Sequence, residues 1–205
     1  MRSRYRFSAL ASLLGCAAVL TVHAQLLTIP EALERAGKSL SSGPSAPSGP
    51  VPTLDQVLSK TDTIVRGIVG QPRSYLSDDQ MDVSTDYQIL NPVILYKAAP
   101  TATKKPEMPT VTVTTLGGVI TINGLSFTSA HEALPPLEPG TECLFLLSHI
   151  GSRYYVAGAY YGAFRISNGK LLRLTQKQGF APEIHGARAT QAGDEMVRRL
   201  SAIHR

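Results

Sequence analysis

The strongest constraint on the fold is a series of short segments rich in β-branched and aromatic residues, each followed by a turn signal. They lie between residues 54 and 175. Residues 110–115 alternate strictly, and the most apolar segment, residues 142–150, follows Pro139-Gly140. Asn168-Gly169, a pair favoured in two-residue hairpins, joins the last two segments. About six to eight strands at this spacing predict an all-β domain, either a small barrel or a β-sandwich.

Two prolines interrupt the first two strand candidates. Gln71-Pro72 follows residues 63–69 and predicts the end of that strand. Asn91-Pro92 lies inside the second candidate, residues 87–96. Because proline has no N–H to donate, this position predicts an edge or a bulge.

Two capping boxes precede the strands. Thr28-Ile29-Pro30-Glu31 predicts a short helix, and Thr53-Leu54-Asp55-Gln56 predicts another of about two turns. Between them, residues 41–52 are almost wholly Ser, Gly, Pro and Ala, which is typical of a flexible linker. We therefore expect short flanking helices, a helix-plus-linker segment over residues 25–53 and the β domain over residues 54–175.

Residues 1–24 have the pattern of a secretory signal peptide. Basic residues precede the apolar residues 7–22, and Val22-His23-Ala24 resembles a cleavage site. The apolar run is shorter than the roughly 20 residues that span a bilayer. We expect export to the periplasm or the extracellular space, with no transmembrane span in the mature form. In the alternative, Leu13-Leu14-Gly15-Cys16 is a lipoprotein box, and a lipid on Cys16 anchors the chain to the envelope.

The basic character of the chain is concentrated at its ends. Three of the 20 Lys and Arg residues lie in residues 1–24, so 17 remain against 15 acidic residues, a net charge of +2. This balance argues against nucleic acid as a partner, since binding phosphates requires a concentrated basic face. Residues 176–205 are expected to form a basic, largely solvated tail with a short helix over residues 194–204.

The order of segments resembles a known group of proteins. The segments that carry the likeness are residues 62–69, 87–97, 111–118, 137–147 and 155–164. They resemble a group of secreted bacterial proteins with a distant similarity to the netrin-like domain of tissue inhibitors of metalloproteases. The resemblance covers roughly residues 54–174 and implies a small OB-like five-stranded barrel. Those inhibitors chelate the protease metal through an N-terminal cysteine, whereas the expected mature start here is Gln25, so that mechanism does not transfer.

Motifs for catalysis or metal binding are absent from the sequence. It contains no His-x-x-x-His, Cys-x-x-Cys or Gly-x-Ser-x-Gly. Cys143 lies in the most apolar segment and is expected to be a core residue. Four aspartates group in a polar region without the glycine and glutamate of a calcium loop: Asp78, Asp79, Asp82 and Asp86. We expect no catalytic residue, no metal and no cofactor.

Aromatic and basic side chains concentrate near the end of the β region. They are Tyr154, Tyr155, Tyr160, Tyr161 and Arg165. Such a combination is typical of sugar or peptide platforms on small barrels, although strand packing alone would also use tyrosines, with half of them pointing inward. The sequence thus predicts an exported, non-enzymatic binding module with an unidentified protein or carbohydrate partner. The alternatives are a protease-inhibitor-like protein that uses a non-chelating surface, and a hydrolase with an unmarked active site.

Overall fold

A computed structural model describes residues 27–42, 50–98, 111–130, 134–175 and 179–204. The predicted signal peptide, Cys16 and most of the predicted linker lie outside the described residues. Helices in the described part are α1 (Ile29–Ala36), α2 (Leu54–Leu58) and α3 (Ala189–Ile203). The strands there are β1 (Leu40–Ser42), β2 (Thr63–Leu76), β3 (Val83–Lys97), β4 (Val111–Leu116), β5 (Gly118–Ile122), β6 (Leu125–Ser129), β7 (Glu142–Ile150), β8 (Arg153–Val156), β9 (Ala163–Ser167) and β10 (Lys170–Arg173). The predicted all-β class with short flanking helices is confirmed.

Five of the strands close into a ring. β2 pairs antiparallel with β3 and β7, and β3 pairs antiparallel with β4. β4 runs parallel to β8, which pairs antiparallel with β7 and completes the circuit. The predicted OB-like five-stranded barrel is therefore confirmed in preference to the sandwich. The β9–β10 hairpin extends from β7, because the first half of that edge of β7 pairs with β9 and the second half with β8.

β7 is buried on both faces. Residues 143–147 are all buried, although successive side chains of a strand point to opposite sides. One side fills the barrel and the other lies under the helices. Gly193 of α3 allows this close packing, since a Cβ there would lie 3.2 Å from the Leu95 Cδ1 and 3.6 Å from the Leu144 Cδ1.

β2 and β3 are long because they continue through their prolines. The prediction that Gln71-Pro72 ends the first strand is wrong: β2 runs on to Leu76, with a register shift between Val69 and Pro72. The bulge accommodates the missing N–H of Pro72 without ending the pairing. At Asn91-Pro92 the predicted bulge is present, and Asn91 adopts a φ of 49°.

A second, smaller core lies at the far ends of β2 and β3. There α1 packs on a three-stranded sheet of order β1-β6-β5, in which β1 is parallel to β6. The buried members of this core are Ile29, Leu33, Val83 and Ile120. The Thr28–Glu31 capping box is present, as predicted. The N-terminal segment is thus more than a helix and a linker, because β1 (Leu40–Ser42) includes the first two residues of the expected linker.

The C-terminal segment packs on the barrel and is not a solvated tail. α3 begins at Ala189, five residues before the predicted helix, and its Met196 and Leu200 are fully buried. Arg199 bridges to Glu195 at 2.8 Å and to Asp55 of α2 at 3.3 Å. Among the residues that the structure describes, no helix is both long and apolar enough to cross a membrane.

Candidate functional site

The largest groove of those described has a volume of about 890 Å³ and is open to solvent. It lies between residues 50–60, the end of β7, β8 and the turn that follows β8. Apolar and aromatic side chains form its walls, including Val51, Ile150, Tyr155 and Tyr161. Polar groups accompany them: Gln56, Ser59, Lys60 and Ser148. We call it the tyrosine groove. Ile150 and Val51 are exposed, at 63% and 39%, so the groove presents apolar surface to solvent.

Strand alternation separates Tyr154 from Tyr155. Tyr154 pairs with Val113 of β4, packs against the barrel core and lies 4.9 Å, ring to ring, from His149. Tyr155 points to the outer face and lines the groove. Both side chains are half-buried.

Tyr160 and Tyr161 are mainly core residues. Their exposed fractions are 7% and 6%, and their rings lie 4.5 Å apart. The Tyr161 ring also contacts Phe180 at 4.8 Å. Burial, and then a hydrogen bond with Tyr161, raises the pKa of Tyr160 to about 12. Of these two residues only Tyr161 reaches the groove wall.

The five predicted binding residues therefore do not form one surface. Arg165 lies on β9 opposite Cys143 and lines a different cavity. The structure brings Tyr155 and Tyr161 together in the groove and places Tyr154, Tyr160 and Arg165 elsewhere. Whether these residues bind a ligand stays a prediction.

A polar cluster adjoins the groove on the outer face of the barrel. The Tyr75 hydroxyl donates to Asp86 Oδ1 at 3.0 Å, and the Thr114 hydroxyl donates to the same oxygen at 2.7 Å. Arg153 donates through Nη1 to the Tyr75 hydroxyl, and its guanidinium carbon lies 4.8 Å from the centre of the Tyr75 ring. We call these four residues the Tyr75 cluster.

Barrel register explains why these side chains meet. Tyr87 and Val113 are paired and face the interior, so the neighbouring pair Asp86 and Thr114 faces outward. Tyr155 is aligned with Thr114 across β4 and β8 and therefore lies on the same outer face. It joins the cluster to the groove.

Electrostatics stabilise the cluster in one protonation state. Desolvation, followed by the hydrogen bond to Asp86, raises the pKa of Tyr75 above its usual value of 10.0. The pKa of Arg153 is also raised, chiefly by Tyr75 and further by Asp86 and Tyr155. Near neutral pH the Tyr75 phenol is therefore protonated, and it donates to Asp86 while it accepts from Arg153.

Sequence reasoning missed this cluster because Tyr75 and Asp86 meet only through the register of β2 with β3, and Arg153 lies 78 residues beyond Tyr75 in the chain. Asp86, which the sequence groups with a polar region, lies within β3. One local signal was available: Arg153 precedes Tyr155 by two residues, so both side chains share a strand face.

The chemistry of the described residues gives no sign of a metal or nucleophile site. In that part of the chain, no three His, Cys, Asp or Glu side chains come together in a way that could hold a metal ion. Cys143 is 1% exposed, and burial raises its pKa to about 12. A neutral thiol in this position is a poor nucleophile.

Comparison of the chain with protein-family models, with curated proteins and with solved structures found no match. The similarity to the netrin-like domain therefore stays a prediction, and the fold and the site rest on the geometry described above.

Proposed function

We propose that this chain is an exported, non-enzymatic binding module that holds an extended protein or carbohydrate ligand in the tyrosine groove and on the Tyr75 cluster. One observation carries the proposal: Tyr155 lines the groove and also interacts with Arg153 of the Tyr75 cluster. An aromatic groove of about 890 Å³ thereby continues into a half-buried polar cluster whose Arg153 is exposed. Binding sites combine these two elements, a concave apolar wall and a few convergent polar groups.

The groove provides the apolar part of the contact. Its exposed Val51 and Ile150 gain by leaving water when a ligand covers them, and the Tyr155 ring offers a flat face to a sugar or a peptide side chain. Because the groove is open, a chain-like ligand suits it better than an enclosed small molecule does.

The Tyr75 cluster provides the polar part. Asp86 takes both of its side-chain hydrogen bonds on Oδ1, which leaves Oδ2 as an acceptor among the described residues. Arg153 is exposed and has donors beyond the one directed at Tyr75. An acceptor beside several donors matches hydroxyl groups of sugars or amides of an extended peptide.

Export is supported by the signal-peptide pattern of residues 1–24. Burial of Cys143 is compatible with an oxidising compartment, because a thiol that is 1% exposed is protected from oxidants. Periplasmic or extracellular location is part of the proposal.

Tyr155→Ala tests the surface, and Tyr154→Ala is the matched control. Both residues are half-buried neighbours on β8, but only Tyr155 faces the groove. The protein is screened against immobilised peptides and soluble polysaccharides, and ligands that bind are titrated by calorimetry. We expect Tyr155→Ala to weaken binding about tenfold or more, as removal of an aromatic contact does, and Tyr154→Ala to bind as wild type.

Arg153→Gln should weaken the binding of the same ligand. Arg35→Gln removes an exposed charge on α1, outside the groove lining, and should leave the affinity unchanged. Equal affinities of wild type and Tyr155→Ala for every ligand that binds would exclude this surface. Tyr160 and Tyr161 are unsuitable for the test, because truncating a buried aromatic residue costs about 3–5 kcal/mol of stability.

A further inference from the structure

A separate cavity of about 190 Å³ lies between residues 135–141, β7 and the β9–β10 hairpin. Its lining shares no residue with the tyrosine groove. Its apolar lining comes from Pro135, Pro136, Leu137 and Leu174, and Thr141 adds a hydroxyl. Arg165 and Arg173 also line it, and we call it the arginine cavity.

Arg165 lines this cavity from β9 and is exposed. It pairs with Cys143 across β7 and β9, and the two side chains share a face. This register places Arg165 beside the buried Cys143, and its positive charge opposes the rise in the pKa of the thiol that burial causes.

Arg165 also lacks a counter-ion among the described residues, since no carboxylate there lies within 4.0 Å of its nitrogens. Arg66 differs in this respect, because it pairs with Glu142 at 2.8 Å. Arg173 is held in place by a hydrogen bond from Nη1 to the Phe180 carbonyl. Among the described residues that line the cavity, Glu138 is the one acidic residue and is exposed, against the two arginines.

We propose that the arginine cavity binds a small monocarboxylate with an apolar tail. A guanidinium presents parallel N–H donors that match the two oxygens of a carboxylate, and it stays charged at any physiological pH. The leucine and proline walls accept the tail. Because a cavity of roughly 150 Å³ accommodates benzene, about 190 Å³ suffices for an apolar tail of about five carbons.

This proposal is independent of the tyrosine groove and is tested with the purified full chain. Hexanoate, acetate and 1-hexanol are titrated against ¹⁵N-labelled protein, and amide shifts of Leu137, Cys143 and Leu174 are followed. We expect hexanoate to bind in the millimolar range, with acetate and 1-hexanol at least tenfold weaker, because one lacks the tail and the other the charge. Equal binding of hexanoate and 1-hexanol would overturn the carboxylate assignment.

Variants test whether Arg165 supplies the positive charge that binds the carboxylate. Arg165→Gln should weaken the binding of hexanoate at least tenfold. Lys170→Gln removes an exposed charge from the same hairpin but lies outside the cavity, so it should leave the affinity unchanged. Glu138→Gln should tighten binding, since it removes a repelling carboxylate. Arg165 and Lys170 are both exposed, so we expect both variants to fold, and circular dichroism checks this. A folded Arg165→Gln variant with unchanged affinity would refute the proposal.

A carboxylate of this kind is either a free acid or the C terminus of a peptide. Tighter binding of N-acetyl-leucine than of hexanoate assigns the site to a peptide terminus, and the reverse order assigns it to a free acid. Both results support the carboxylate site. If neither compound changes the amide chemical shifts, the proposal is contradicted.

Discussion

Tyr155 and Tyr160 have the same side chain and lie close in the chain, but they differ in burial. The Tyr155 ring is half-buried beside Arg153, whereas Tyr160 is 7% exposed and its pKa is raised to about 12 by desolvation and then by Tyr161. Cys143 follows the same rule: a residue type that serves as a nucleophile elsewhere is neutral and inaccessible here. At the residue scale, burial and neighbouring groups decide which chemistry a side chain can carry out.

The rate at which a thiol reagent labels Cys143 measures this effect of burial directly. In a Cys16→Ser variant it is the one remaining cysteine of the chain. With a pKa of about 12, only roughly one thiol in 10⁴ is ionised at pH 8, against about a quarter in an unfolded chain. We expect a thiol-specific reagent to label the native protein no faster than it unfolds, and the urea-unfolded protein within the mixing time. Rapid labelling under native conditions would contradict the burial of this side chain.

At the element scale, α3 is fastened to the rest of the molecule by apolar burial and by a charged network. Met196 and Leu200 face the core, and Arg199 contacts Glu195, Asp55 and, at 3.7 Å, Glu183. Glu195 accepts hydrogen bonds from Arg198 at 2.6 and 2.8 Å and from Arg199 at 2.8 Å. These bonds, from Arg198 first and then Arg199, lower the pKa of Glu195 from 4.5 to about 2.

The sign of this shift determines the pH dependence of stability. Because the folded-state pKa is depressed, the stabilisation is complete above the unfolded value near 4.5 and is lost as the pH falls toward 2. Glu195→Gln should lower the urea midpoint at pH 7, and the difference from wild type should shrink near pH 2. Asp194→Asn, an exposed neighbour on the same helix, should show little of this dependence. A difference for Glu195→Gln that is the same at both pH values would show that the network does not couple to folding.

At the scale of the whole molecule, the chain has two hydrophobic cores of unequal size. The larger one joins the barrel interior to α2 and α3, and the smaller one holds α1 and the three-stranded sheet. The long strands β2 and β3 connect them, since Leu76 and Val83 belong to the smaller core while Val65 and Ile89 belong to the larger.

Unequal cores predict unequal responses to truncation. Leu33 is 1% exposed in the smaller core and Leu144 is fully buried in the larger, so each Leu→Ala change should cost about 2–5 kcal/mol in its own core. We expect Leu33→Ala to reduce hydrogen-exchange protection in α1, β5 and β6 while β2 and β7 stay protected. Leu144→Ala should reduce protection throughout. A uniform loss in Leu33→Ala would mean that the two cores unfold as one unit.

The amino-acid sequence by itself determined the features that depend on neighbouring residues. The Thr28 and Thr53 capping boxes form as the sequence predicts. Asn123-Gly124 and Asn168-Gly169 both adopt the positive φ values that tight hairpin turns require. The burial of Cys143 also followed from its apolar neighbours. Each of these depends on local hydrogen bonds, local sterics or the composition of one strand.

Tertiary structure alone decided the features that join distant residues. Strand β2 passes through Pro72 because its partner β3 continues beside it, and the Ser-rich β1 forms because β6 offers an edge. The parallel pairing of β4 with β8 closes the barrel and brings Tyr155 to Tyr75, Asp86 and Thr114. Register and side-chain burial depend on contacts between segments far apart in the chain. Local propensity does not predict those contacts. The groove, the Tyr75 cluster and the arginine cavity are all products of that long-range packing.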